Sequence, residues 1–87
     1  MTISYTKKIL LAQQFIIDCV YRTTSYKLDA FHWKVSYEDI YQLVIYRNGR
    51  KFILTFSEEE LLGYGTKGWH DRILMKIKEA LKRSREI

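Results

Sequence analysis

The chain of 87 residues has no proline, four glycines and a single cysteine. Without proline, and with three of the glycines gathered at Gly63, Gly65 and Gly68, nothing has the composition of a linker or low-complexity tract. No internal repeat is visible. One cysteine, Cys19, cannot close an intramolecular disulfide, so the fold must rest on its core and an oxidising compartment is not required. Long apolar runs are also missing, and no stretch approaches the roughly 18 residues that span a bilayer. Lys7 and Lys8 precede an apolar stretch as in a signal peptide, but Gln13, Gln14 and Asp18 interrupt it and no small-residue cleavage site follows. The acid of Ile17-Asp18 before Cys19 argues against a lipoprotein site. The expectation is a soluble, cytoplasmic protein with no membrane partner.

What is present is apolar and basic. Hydrophobic residues make up 47% and aromatics 15% of the chain, enough for one core over residues 1–87 and too short a chain for a second. The formal net charge is +5 and the sequence pI is near 9.4. That balance favours a polyanionic partner without naming one.

Periodicity then divides the chain. Over Thr6 to Arg22, Tyr5, Ile9, Ala12, Ile16, Cys19 and Val20 recur on one helical face, with Ser4 or Thr6 as candidate caps. Leu10, Leu11, Phe15 and Ile17 widen the apolar arc beyond what one sheet face requires, which points to heavy coverage or to an oligomer contact. After a polar loop, Phe31, Trp33, Val35 and Tyr37 alternate with His32, Lys34 and Ser36 as in a strand. The alternation slips near Ala30, where a bulge or a strand start is expected.

Tyr41 to Phe56 carries the clearest signal. Asn48-Gly49 suits the positive φ values of a two-residue type I′ turn, and that turn fixes the register. Arg47 then faces Arg50, Ile45 faces Phe52, Leu43 faces Leu54 and Tyr41 faces Phe56 on one apolar side. Gln42 with Thr55, Val44 with Ile53 and Tyr46 with Lys51 form a wetter side. Ser57 to Glu60 matches the Ser-x-x-Glu capping box of a short helix. A final helix from Trp69 to about Arg85 puts Trp69, Ile73, Ile77, Ala80 and Leu81 inside, with Arg72, Lys76, Glu79 and Arg83 outside.

The predicted fold class is therefore α+β: a single small domain in α-β-β-β-α order, a three-stranded antiparallel meander with helices packed on one face. Double-stranded-RNA-binding domains have the same order, and the similarity is one of topology. Their second helix opens on a lysine cluster, where this chain has only Lys67 and Arg72 flanking Gly68 to Asp71. Their first inter-strand loop contacts RNA, where this chain has the short, acidic Glu38-Asp39.

The first strand has two readings. A strict two-residue turn at Glu38-Asp39 sets Trp33 against Val44 and Phe31 against Tyr46, an aromatic platform of the kind that stacks bases. A connection of three residues puts Phe31, Trp33 and Val35 on the core face beside Leu43 and Ile45. The strict turn also turns Lys34 and His32 toward the core, and that cost favours the second register.

Candidate chemistry is sparse. Cys19, His32, and His70 with Asp71 are the residue types of a thiol hydrolase, but Cys19 lies on the buried helical stripe and reads as an inert core thiol. His70 reads as a half-buried structural histidine. One cysteine and two distant histidines do not make a metal set, and Glu58-Glu59-Glu60 is explained by helix capping. The glycine-rich stretch before Trp69 fails the spacing of both dinucleotide and Walker motifs, leaving at most a weak anion contact at Thr66 to Trp69. No catalytic residue, cofactor, metal or small-molecule substrate is therefore expected. The unexplained feature is exposed positive charge. Arg47, Arg50 and Lys51 crowd the hairpin tip with Tyr46 beside them, and the chain from Lys67 onward holds seven basic and three acidic residues. Arg72, Lys76 and Arg83 on the last helix complete a nucleic-acid-binding candidate set. The alternative is a protein-interaction domain, either a homodimer or a small inhibitor or adaptor of a larger complex, suggested by the broad apolar arc of the first helix and by Leu11, Tyr21 and Met75 on polar faces.

Overall fold

Asn48 and Gly49 adopt φ values of 54° and 75°, the left-handed pair that a type I′ turn needs. With that turn set, Ile40–Arg47 (β2) and Arg50–Ser57 (β3) pair in the expected register, Ile45 opposite Phe52 and Leu43 opposite Leu54. The computed structural model describes residues 5–36 and 38–85. Its remaining elements are α1 (Tyr5–Thr23), β1 (Ala30–Val35), α2 (Glu58–Leu62) and α3 (Trp69–Arg85), and the sheet order is β1-β2-β3, all antiparallel. The α+β meander with helices on one face is the architecture.

The core lies between the helices and β2–β3. Ile9, Ala12, Ile16, Cys19 and Val20 of α1 meet Leu43, Ile45, Leu54 and Phe56 of the sheet, Leu61 of α2, and Trp69, Ile73, Ile77 and Leu81 of α3. Each large side chain buried this way contributes roughly 1.5–3 kcal/mol. Tyr5, grouped with the buried stripe by spacing alone, is instead exposed at the start of α1. Thr6 lies inside that helix and does not cap it, and Ser4 falls outside the described residues. Part of the surplus apolar arc is absorbed by α3, since the Phe15 ring lies 5.4 Å from Trp69 and 4.5 Å edge-on from His70. Leu10 stays exposed.

The β1 register resolves toward the three-residue connection. Trp33 faces Leu43, Phe31 faces Ile45 and Val35 faces Tyr41, while the Ser36 N–H donates to the Ile40 carbonyl at 2.9 Å. Tyr37, expected to continue the strand, falls outside the described residues. His32 and Lys34 consequently point to the open face, and no aromatic platform forms there. At the other end the ladder opens with Ala30 opposite Tyr46, the strand start among the two expectations there, and the Asp29 N–H also donates to the Tyr46 carbonyl at 2.9 Å. Val44 is the surprise of the open face: it is only 1% exposed, flanked by His32 and Ile53 in the ladder.

The Ser57 capping box forms as read. Ser57 Oγ accepts from the Glu60 N–H at 3.0 Å, and Glu60 Oε1 accepts from the Ser57 N–H at 3.4 Å. The Glu60 carbonyl accepts from Trp69 Nε1 at 2.6 Å, so the turn between α2 and α3 is closed by a buried indole. Gly63 is the residue that admits this ring, because a Cβ there would lie 2.8 Å from Trp69 Cδ1 and 3.3 Å from the Glu60 carbonyl oxygen. Gly63→Ala is expected to destabilise the domain by about 1–3 kcal/mol through displacement of Trp69. Gly49→Ala, where the surrounding space is open, should cost only the φ penalty of about 1 kcal/mol. Urea denaturation of the two variants checks the ranking.

Candidate nucleic-acid interface

Chain direction decides where the basic residues meet. Lys76 of α3 reaches the Thr55 carbonyl, Arg83 lines a groove with Ile53, and Lys78, Leu81 and Lys82 surround a cleft with Arg47 and Thr23. The helix therefore runs antiparallel to β3 and ends beside the hairpin tip. The last residue of α1, Thr23, borders the same cleft.

Among the described residues that cleft, of about 450 Å³, is lined by Thr23, Arg47, Lys78, Leu81 and Lys82, three cations and no carboxylate. Arg47 Nε is buried without a hydrogen-bond partner among the described residues. Asp29, distant in sequence, is brought to the tip, where its Oδ2 accepts from the Asn48 N–H at 2.9 Å, so one carboxylate stands beside the cluster and offsets part of its charge. The convergence of two helix C-termini supplies partial negative charge that offsets some of the repulsion.

The expected residues divide accordingly. Arg47 and Arg50 face each other on the side toward the helices, with Arg47 half-buried and Arg50 exposed. Tyr46 and Lys51 face each other on the opposite, open side, where the Tyr46 ring lies 5.9 Å from His32. Arg83 is exposed in the neighbouring groove with Lys76 and Glu79. Arg72 is exposed near the start of α3, about 16 Å along the helix from Arg83 at 1.5 Å per residue, and does not join the cluster. Lys76 is occupied structurally. Its Nζ bonds Glu60 Oε1 at 2.9 Å, Glu60 Oε2 at 3.2 Å and the Thr55 carbonyl at 2.6 Å, and it sits 4.4 Å from the Phe56 ring centroid. Lys78 and Lys82 were absent from the expected set. Their i,i+4 spacing beside Leu81 was visible, but their distance from Arg47 depends on the direction of α3 against β3.

The catalytic alternatives do not assemble. Cys19 is buried in the core, and burial pushes its thiol above the ordinary 9.0, with Arg22 pulling down and Asp18 adding to the rise. His32 is on the face of the sheet away from the helices, and His70 is exposed among Phe15, Tyr64 and Trp69. No group of three or more metal-ligating side chains occurs among the described residues. Nor is any helix among them long and apolar enough to cross a membrane. Comparison with protein-family models, curated proteins and solved structures finds no match for this chain.

Two outcomes follow from these placements. Lys76→Met should lower stability by up to about 1 kcal/mol, the range of a partly exposed ion pair, while leaving polyanion affinity within about twofold, as anisotropy titration would show. Cys19 in the native protein should react with a thiol reagent only as fast as the domain opens. Because its folded pKa is raised, the unfolded thiol loses its proton first, so this group's contribution is intact below pH 9.0 and is lost as pH climbs above it. Stability of the wild type and Cys19→Ala compared across that range reads the difference.

Proposed function

We propose that this chain is a non-catalytic binding module whose basic end grips the phosphate backbone of a nucleic acid. The observation that carries the reading is the cleft at the hairpin tip, where Arg47, Lys78 and Lys82 converge from two elements and no carboxylate joins the lining among the described residues. Folding alone gains nothing from gathering like charges, whereas a phosphate bridging them turns the repulsion into charge-assisted hydrogen bonds. Arg47 is half-buried at the cleft wall, and the planar fork of an arginine matches the geometry of a phosphate.

Arg50 and Arg83 flank the cleft and extend the basic surface to either side. Tyr46 and Lys51, with His32 and Lys34, occupy the open sheet face, which is a secondary contact area in this reading. That face also holds no acidic residue: its positions on β1 to β3 are Ala30, His32, Lys34, Ile40, Gln42, Val44, Tyr46, Lys51, Ile53, Thr55 and Ser57.

Fluorescence anisotropy with labelled RNA and DNA over a salt series tests the proposal. Affinity should fall steeply with salt, and the double variant Lys78→Gln/Lys82→Gln should weaken binding roughly uniformly across sequences and reduce the log–log salt slope by about two. Arg47→Gln should weaken it further, and Arg72→Gln should change it by less than about twofold. Flat titrations at low salt, or equal effects from Arg72 and the cleft lysines, overturn the assignment.

A further inference from the structure

Beside α1 lies an apolar groove of about 510 Å³, lined by Leu10, Gln13, Gln14, Ile17, Asp18, Phe31 and Trp33. Its outer wall is β1, an edge strand of the sheet. We propose that β1 is a dimer seam, along which a second copy of this chain adds its own β1 in antiparallel register about Trp33.

Hydrogen-bond parity supplies the first argument. Ser36 bonds β2 through its N–H, so by the alternation of an antiparallel ladder residues 34, 32 and 30 also turn their backbone groups toward β2. Phe31, Trp33 and Val35 therefore direct their N–H and C=O groups outward, to the free edge. A two-fold axis at Trp33 sets Trp33 against Trp33 of the second copy and Phe31 against its Val35, and each facing pair can exchange both of its bonds.

Side-chain chemistry selects the same register. Phe31 and Val35 are 39% and 62% exposed, and both belong to the helix-side face, so the axis joins apolar to apolar beneath the two grooves. Shifting the axis toward the strand start brings Val35 opposite Asp29, whose N–H is already spent on Tyr46. Shifting it the other way brings Lys34 opposite Lys34. Only the Trp33 axis avoids both a carboxylate on the apolar face and a like-charge pair on the axis.

Charge favours a second copy over an unrelated extended peptide. The antiparallel seam sets the end of each sheet that holds Arg47, Arg50 and Lys51, with Asp29 among them, alongside the β1–β2 turn of the other copy, which holds Glu38 and Asp39. Antiparallel pairing thus matches unlike ends twice. The one mismatch is His32 against Lys34 of the second copy on the open face, and it provides a handle.

Sedimentation velocity across a concentration series, with circular dichroism to verify folding, tests the seam. The wild type should pass from monomer to dimer. Val35→Lys, at an exposed position, should raise the dissociation constant at least about tenfold, and His32→Glu, which pairs with Lys34, should lower it several-fold. On a Cys19→Ser background, Trp33→Cys should crosslink to its own copy under mild oxidation, since Cα atoms of such a pair lie about 5.5 Å apart. Val35→Cys should not, its equivalents being about 13 Å apart. A monomer at every concentration, a dimer indifferent to Val35→Lys, or a crosslink at position 35 and not 33 overturns the proposal. Capture of an extended peptide on β1 by a monomeric wild type does so as well, and assigns the edge to that partner class.

Discussion

Glu60 is the point through which the two halves of the molecule are joined. Its side chain closes the capping box on Ser57, its carboxylate holds Lys76 of α3, and its carbonyl receives the indole N–H of Trp69. The first contact starts α2 directly at the end of β3. The other two bring the beginning of α3 back onto that strand, with Lys76 bonded to the Thr55 carbonyl and lying against Phe56. None of these bonds alone is large, since exposed ion pairs are worth about 0–1 kcal/mol and a hydrogen bond about 1 kcal/mol net. Their weight is geometric: they fix the angle at which the apolar face of α3, Trp69 to Leu81, meets the core.

Once α3 is held antiparallel to β3, its C-terminal turns must lie at the hairpin tip. The charge asymmetry of the molecule follows. Arg47, Arg50, Lys51, Lys78 and Lys82 gather at that end around Asp29, whereas Glu38, Asp39 and Glu58 to Glu60 lie around the opposite one. Basic residues at a helix C-terminus and acidic residues at a helix N-terminus both favour the local dipole, so the separation is compatible with folding even as it builds a predominantly basic surface. Such a surface is what a phosphate chain requires.

The two sheet edges are treated differently. On β3 the hairpin ladder leaves Thr55 facing outward, and Lys76 bonds its carbonyl, so that edge is partly closed by α3. Among the described residues β1 has no equivalent cover. Phe31 meets α1 edge-on through Tyr21, 6.1 Å away between ring centroids, and both Phe31 and Val35 stay exposed although the pattern assigns them to the core side. An apolar, unpaired edge is a liability in an isolated domain, and a two-fold partner removes it at both copies at once.

Local chemistry in the sequence determined the hairpin register, the capping box and the face assignments of α1 and α3. Asn48-Gly49, Ser57-x-x-Glu60 and the helical spacing of Ile9 to Val20 are signals complete within a few residues, each with a physical requirement that few alternatives meet. The β1 register was legible too, through the cost of turning Lys34 and His32 inward. Tertiary structure decided what depends on distance between elements. Tyr5 keeps helical phase with the stripe yet stays exposed at the helix start, and Lys76 resembles any solvent-facing lysine until Glu60 and Thr55 are brought beneath it. Arg47 acquires Lys78 and Lys82 only when α3 returns along β3. A periodic pattern reports which side of an element is apolar, but which end of one element meets which end of another is set by the closing turn and by the packing it permits.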